Sequence, residues 1–159
     1  MKKADIDKIL KKYDYKKSSL ISILQDIQII NRWLPQEILK YVSEKMDISL
    51  MDVYSLVTFY KSFSLKPRGK HIITVCSGTA CHVRGGPKVL AEVENQLGIT
   101  VGETTPDKNF TLETVRCLGA CALGPLMVID GKYYGQMNPK KVASTLKKYS
   151  KKKIGEKIL

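Results

Sequence analysis

Apolar positions in the first part of the chain recur at helical intervals. Leu20, Ile23, Leu24, Ile27 and Ile30 keep that spacing behind Ser18 or Ser19 as a cap, which predicts one helix. Pro35 suits the first position of a second, whose inward stripe is Ile38, Val42 and Met46. Ser49 with Asp52 three residues on resembles a capping box, with Asp in place of the usual Glu, ahead of a third stripe of Val53, Leu56, Val57 and Tyr60. A weaker helix around Ile6 to Leu10 comes before these. Stripes of this kind build cores, so the region is expected to be a small helical bundle.

After KPRGK at 66–70 the period changes. HIITV at 71–75 is a β-branched run that ends at Cys76. Pro87 opens a helix with Val89, Leu90, Val93 and Leu97 inward, and Gly98 stops it. FTLETV at 110–115 alternates in the manner of a strand, and LMVI at 126–129 reads as a buried one. Asp130-Gly131 is a hairpin turn signal leading to Tyr133 and Tyr134. Asn138 and Pro139 then start a last helix carrying Val142, Leu146 and Tyr149. The order β-α-β-β-β-α predicts an α/β fold, with a helical bundle over 1–68, a second domain over 69–150 and a basic tail over 151–159.

That order bears on the four cysteines, which all lie in VCSGTACHVRGG at 75–86 and VRCLGACALGP at 115–125. Strand, crossover helix and strand join as a right-handed parallel unit. If 71–75 pairs with 110–115 in this way, both cysteine loops leave the same edge of the sheet. ITVGE at 99–103 is a second candidate strand, and a hairpin from it onto 110–115 would remove that argument.

Composition narrows the setting. The 159 residues are 43% hydrophobic and 26% charged, as in a globular protein. No apolar run is long enough to cross a bilayer, and MKKADIDKILKKYDYKK mixes acids with bases, unlike a secretory signal. The expected location is the cytoplasm, where thiols stay reduced and clustered cysteines bind metal or do redox work. The net charge of +12 comes almost wholly from lysine, crowded at the two ends. Only four arginines are present, and nucleic-acid readers rely on arginine forks, so the lysines at the two ends are expected to form a solvated surface, or a field that helps dock an acidic protein, and not a nucleic-acid interface.

Cys76-x4-Cys81 and Cys117-x3-Cys121 are the candidate metal ligands. Four thiolates suit zinc, copper(I) or an iron–sulfur cluster, and zinc fits the spacing as well. A [2Fe–2S] cluster needs two thiolates per iron, and two separated pairs supply that. Gly78, Gly85, Gly86, Gly119 and Gly124 let the backbone turn tightly and aim N–H groups at a negative centre. Disulfides lack an export signal to support them, and a dithiol oxidoreductase lacks its C-x-x-C. A Rieske centre would need two histidines in place of two of the thiolates, so His82 and His71 read as surface or supporting residues. Arg84 and Arg116, close to the cysteines in sequence, are candidates to hydrogen-bond the cluster or a partner, with a plain surface role as the equal alternative.

GTACHVRGG around Cys81 and VRCLGAC around Cys117 resemble the thioredoxin-like [2Fe–2S] subunit family. That family includes subunits of respiratory NADH:quinone oxidoreductase and of NAD-linked [FeFe]-hydrogenases. The likeness extends from LISILQDIQIINRWLP through MDVYSLVTFYKSFSL to residue 149. It implies a thioredoxin-like cluster domain after the helical bundle, with Cys76, Cys81, Cys117 and Cys121 as the ligands of one [2Fe–2S] cluster. It also implies a flavoprotein partner that binds FMN and NAD(H), and a further catalytic subunit. The chain has no G-x-G-x-x-G turn after a strand, which agrees with hydride chemistry residing in the neighbour and an iron–sulfur subunit that is not catalytic alone. The alternative is a free-standing ferredoxin acting as a soluble carrier. A zinc-stabilised interaction or nucleic-acid module is a third reading.

Overall fold

The structure is a computed structural model and describes residues 2–150. The expected basic tail at 151–159 lies outside the described residues. The chain divides into two compact units between Arg68 and Gly69.

The first unit is helical: α1 (Lys3–Lys12), α2 (Leu20–Asn31), α3 (Gln36–Met46) and α4 (Leu50–Phe59). Its core holds Ile23, Leu24, Ile27, Val42 and Val53 of the predicted stripes, all fully buried, together with Leu10 of α1, Leu39 of α3 and Leu34 from a loop. Polar contacts hold the helices in register. Tyr41 donates to Asp7 Oδ1 at 2.8 Å, linking α3 to α1. Tyr13 and Lys12 both donate to Asp26 of α2, at 3.0 and 2.9 Å, and keep its carboxyl below the usual range.

Three local expectations are adjusted. Pro35 is the residue before α3, with φ −65° and an extended ψ, and so serves as its entry and not its first turn. Ser49 Oγ accepts from the Met51 N–H at the start of α4, but α4 ends at Phe59, which leaves Tyr60 outside the helix against the Phe63 ring. Ile30 points outward, 60% exposed beside Ile29 at 76%. At that point α1 offers Lys8 and Lys12 where an apolar partner would be needed, so the two isoleucines line an open groove with Ile9.

The second unit runs β1 (His71–Cys76), α5 (Thr79–Val83), α6 (Gly86–Leu97), β2 (Phe110–Val115), β3 (Met127–Ile129), β4 (Lys132–Tyr134) and α7 (Pro139–Ser150). The sheet order is β2-β1-β3-β4. β1 pairs in parallel with β2, from His71 opposite Phe110 to Cys76 opposite Val115, and antiparallel with β3. Ile73 and Val75, Phe110 and Leu112, and Met127 and Ile129 share one face by strand alternation. They pack with Val89 and Val93 of α6 and Val142 and Leu146 of α7. Asp130 and Gly131 both take positive φ, 49° and 81°, as the predicted tight hairpin turn requires. Asn138 Oδ1 accepts from the Lys141 N–H and caps α7.

The candidate strand at 99–103 is not a strand, but its neighbourhood does pair with β2. Gly102 N–H donates to Leu112 O at 2.8 Å, and Leu112 N–H to Glu103 O at 3.0 Å. Thr104 bridges Thr111. This segment lies along the outer edge of β2 while β1 occupies the inner edge, so both pairings weighed from the sequence coexist. Three short helical elements were not foreseen: α5, which carries Cys81, and single 3-10 turns at Lys17–Ser19 and Cys121–Leu123, the second beginning at Cys121.

Burial separates two neighbouring residues in a testable way. Ile27→Ala empties a fully buried site and is expected to cost about 2–5 kcal/mol, whereas Ile30→Ala should change stability by less than about 0.5 kcal/mol. Urea unfolding of both variants checks this.

Candidate metal centre

Cys76 is the last residue of β1, and Cys117 stands two residues beyond the end of β2. Because the two strands run in parallel, side by side, their loops emerge together. The backbone then locks them. Ser77 N–H donates to Val115 O at 2.8 Å, and its hydroxyl donates to the same oxygen at 3.1 Å. Gly78 lies so close to the second loop that a Cβ there would stand 2.4 Å from Arg116 O. No larger residue fits that gap without moving backbone.

The sulfurs form two pairs. Cys117 Sγ and Cys121 Sγ are 3.7 Å apart. Cys76 and Cys81 are close enough that each thiol shifts the titration of the other. The pairs also sense one another, since Cys121 feels the charge of Cys76, and Cys81 that of Cys121. Among the described residues no set of three or more His, Cys, Asp or Glu is spaced to grip one ion. Cys76 and Cys81 are buried against Leu126, with Leu118 and Ala120 alongside, while Cys117 and Cys121 are exposed.

Main-chain donors surround the sulfurs. Burial would push the Cys76 thiol up, but the N–H of Gly78, the Cys81 thiol and the N–H of Leu118 outweigh it and hold Cys76 below the ordinary value. Cys81 goes the other way: burial and the Cys76 contact raise it, only partly offset by the Leu126 N–H. Cys121 is raised by its contact with Cys117. Gly119, with φ +79°, turns its N–H onto Cys117 Sγ at 3.3 Å. Gly86 and Gly124 close the cradle, because a Cβ at Gly86 would meet Cys81 O at 2.8 Å and one at Gly124 would meet Cys81 Sγ at 3.1 Å.

Arg84, just past α5, donates through Nη1 to Cys121 O at 3.0 Å and to Ala122 O at 3.3 Å. It thereby ties the first cysteine loop to the second. Arg116 and His82 are exposed, and Arg116 contributes its carbonyl to the contact with Gly78. His71 sits at the opposite end of β1, with Nδ1 against Asp130 Oδ2 and its ring 5.0 Å from that of Tyr149. Tyr134 shares a hydroxyl contact with Tyr149 at 2.7 Å and Tyr133 is exposed, so neither enters the centre. The parts that sequence reasoning missed are Leu118 and Leu126, whose amides reach the sulfurs. Nothing in their residue type marks them.

Four thiols in two pairs with several aimed N–H groups is a donor set that fits a binuclear, negatively charged cluster. Comparison with known proteins agrees. The family model of the thioredoxin-like [2Fe–2S] ferredoxins matches residues 6–150. The chain is 40% identical over 134 residues to the NADP-reducing hydrogenase subunit HndA of Solidesulfovibrio fructosivorans, covering 84% of this chain and 78% of that protein. It is 37% identical over 145 residues to an NADH-quinone oxidoreductase subunit of Rickettsia felis, covering 89% and 87%. In fold it is similar, with a TM-score of 0.69 at 17% identity, to a chain of an NAD+-reducing [NiFe]-hydrogenase; the match covers 83% of this chain and only 23% of that longer one. The chain belongs to the thioredoxin-like [2Fe–2S] ferredoxin family, whose cofactor is a [2Fe–2S] cluster.

Proposed function

We propose that this chain is the electron-transfer subunit of an NAD(P)H-linked oxidoreductase complex, of the NADH dehydrogenase or NAD-dependent hydrogenase type. Its Cys76, Cys81, Cys117 and Cys121 hold one [2Fe–2S] cluster. When bound, the cluster supplies one-electron redox chemistry and no hydride chemistry. The partner in this reading is a subunit that binds FMN and NAD(H), with a further catalytic subunit in the same complex. The reaction is placed in the cytoplasm. No described helix is long and apolar enough to cross a membrane.

The observation that carries this reading is the meeting of the two cysteine pairs at the common end of β1 and β2. Each pair presents two thiolates, as one iron of such a cluster requires. The N–H groups of Gly78 and Leu118 at Cys76, Leu126 at Cys81 and Gly119 at Cys117 stabilise thiolate charge. Leu126 and Leu118 keep water from the inner pair. Residues 1–68 serve in this reading as a helical domain with its own core, followed in sequence by the cluster domain over 69–150. A free-standing carrier needs only the second of these. The relatives that match along most of the chain are named as subunits of larger oxidoreductases.

Anaerobically purified protein is expected to hold about two irons and two sulfides per chain. Cys117→Ser and Cys121→Ser should each shift or abolish the reduced-state electron paramagnetic resonance signal, and unchanged spectra in both would reject the ligand assignment. Gly78→Ala drives a methyl into Arg116 O and is expected to cost about 1–3 kcal/mol and to lower the iron retained after gel filtration. Full iron retention in that variant would show that the close approach of the loops is not needed.

A further inference from the structure

The two segments that carry the cysteines hold basic residues and no acids. Residues 76–91 and 114–129 contain no Asp or Glu and hold Arg84, Lys88 and Arg116, and Lys140 and Lys141 follow Asn138 and Pro139 at the start of α7. Arg84 and Lys88 line a concavity beside Cys81 of about 480 Å³, shared with Val83 and with Asn138 and Pro139 at the start of α7. Arg116 is exposed next to Cys117. Within this rim two apolar side chains are uncovered: Val83 is 80% exposed two residues from Cys81, and Leu123 is 46% exposed two residues from Cys121. Arg84, next to Val83, joins their loops through Cys121 O and Ala122 O, the two carbonyls before Leu123. Asp130, by contrast, is held at the far end of β1 by the Ile72 N–H at 2.9 Å.

We propose that Val83 and Leu123, ringed by Arg84, Lys88 and Arg116, form the docking face through which the cluster exchanges electrons, and that its partner presents an acidic protein surface around a redox group. An apolar centre inside a charged rim is the anatomy of a protein interface, and the rim charges steer encounter. A nucleic acid fits the same charge less well in chemistry, since the two cysteine loops contain no Phe, Tyr or Trp and His82 is their one ring on which a base could stack. The proposal rests on the cluster reading above, and it adds where the partner sits and with what charge.

The test uses the dithionite-reduced holoprotein and two redox proteins of opposite charge: plastocyanin, which is acidic, and cytochrome c, which is basic. In each reaction one electron leaves the reduced cluster and reduces copper(II) to copper(I), or haem iron(III) to iron(II). Stopped-flow rates at low salt should favour plastocyanin, and that rate should fall as salt rises. Lys88→Glu with Arg116→Glu is expected to slow plastocyanin roughly tenfold and flatten its salt dependence. Lys147→Glu with Lys148→Glu makes the same change in net charge near Tyr149, at the His71 end of β1, and should leave the rate within about twofold. Equal effects of the two double variants, or no preference for plastocyanin, would overturn the docking face while leaving the cluster intact. Tight binding of a single-stranded oligonucleotide, lost in Lys88→Glu with Arg116→Glu, would assign the face to nucleic acid instead and also overturn it. Failure of the protein to hold iron at all would instead reject the cluster reading.

Discussion

Everything at the centre depends on one pairing: β1 beside β2, in parallel, with Cys76 opposite Val115. Parallel strands end at the same edge of a sheet, so a loop after one meets a loop after the other. The chain between them is long enough for a crossover helix, and α6 fills that role against the sheet face. Once the strands are paired, Ser77 bonds Val115 O and Gly78 nests on Arg116 O, which fixes the separation of the two cysteine arms. A centre that needs sulfurs from distant segments is thereby built from main-chain geometry, with little left to side-chain freedom.

The two pairs are not equivalent. Cys76 and Cys81 are buried against Leu126, whereas Cys117 and Cys121 face outward. Burial in apolar surroundings disfavours charge, and the protein answers with N–H donors where the sulfurs are most enclosed. The exposed pair needs less support and lies where a partner can approach. An electron carrier has these two requirements together: a shielded anchor and an open side.

Much of this was legible in the sequence because it follows from local rules. The helical stripes placed most of the core residues of α2 to α4, though not Leu39, Asp130-Gly131 gave the hairpin, and Asn138 gave the cap of α7. The cysteine spacing and its glycines pointed to a two-armed site before any geometry was known. What stayed hidden were contacts between segments distant in sequence. Ile30 fits the stripe of α2, but only the neighbouring α1, with lysines at that level, decides that it faces out. The segment at 99–103 reads as a rival to β1 for the edge of β2; it forms no strand, and residues 102–105 pair along the other edge. The amides of Leu118 and Leu126 act through the backbone, which residue type does not reveal. Arg84 was noticed for its nearness to Cys81, yet its role in bridging to Cys121 O appears only in three dimensions.

Iron-edge X-ray absorption of the anaerobically purified chain tests the central claim most directly. The account predicts that each iron is surrounded by four sulfurs and has a second iron as a near neighbour. A sample without iron, in which a single zinc ion is coordinated by the same four sulfurs, would contradict it.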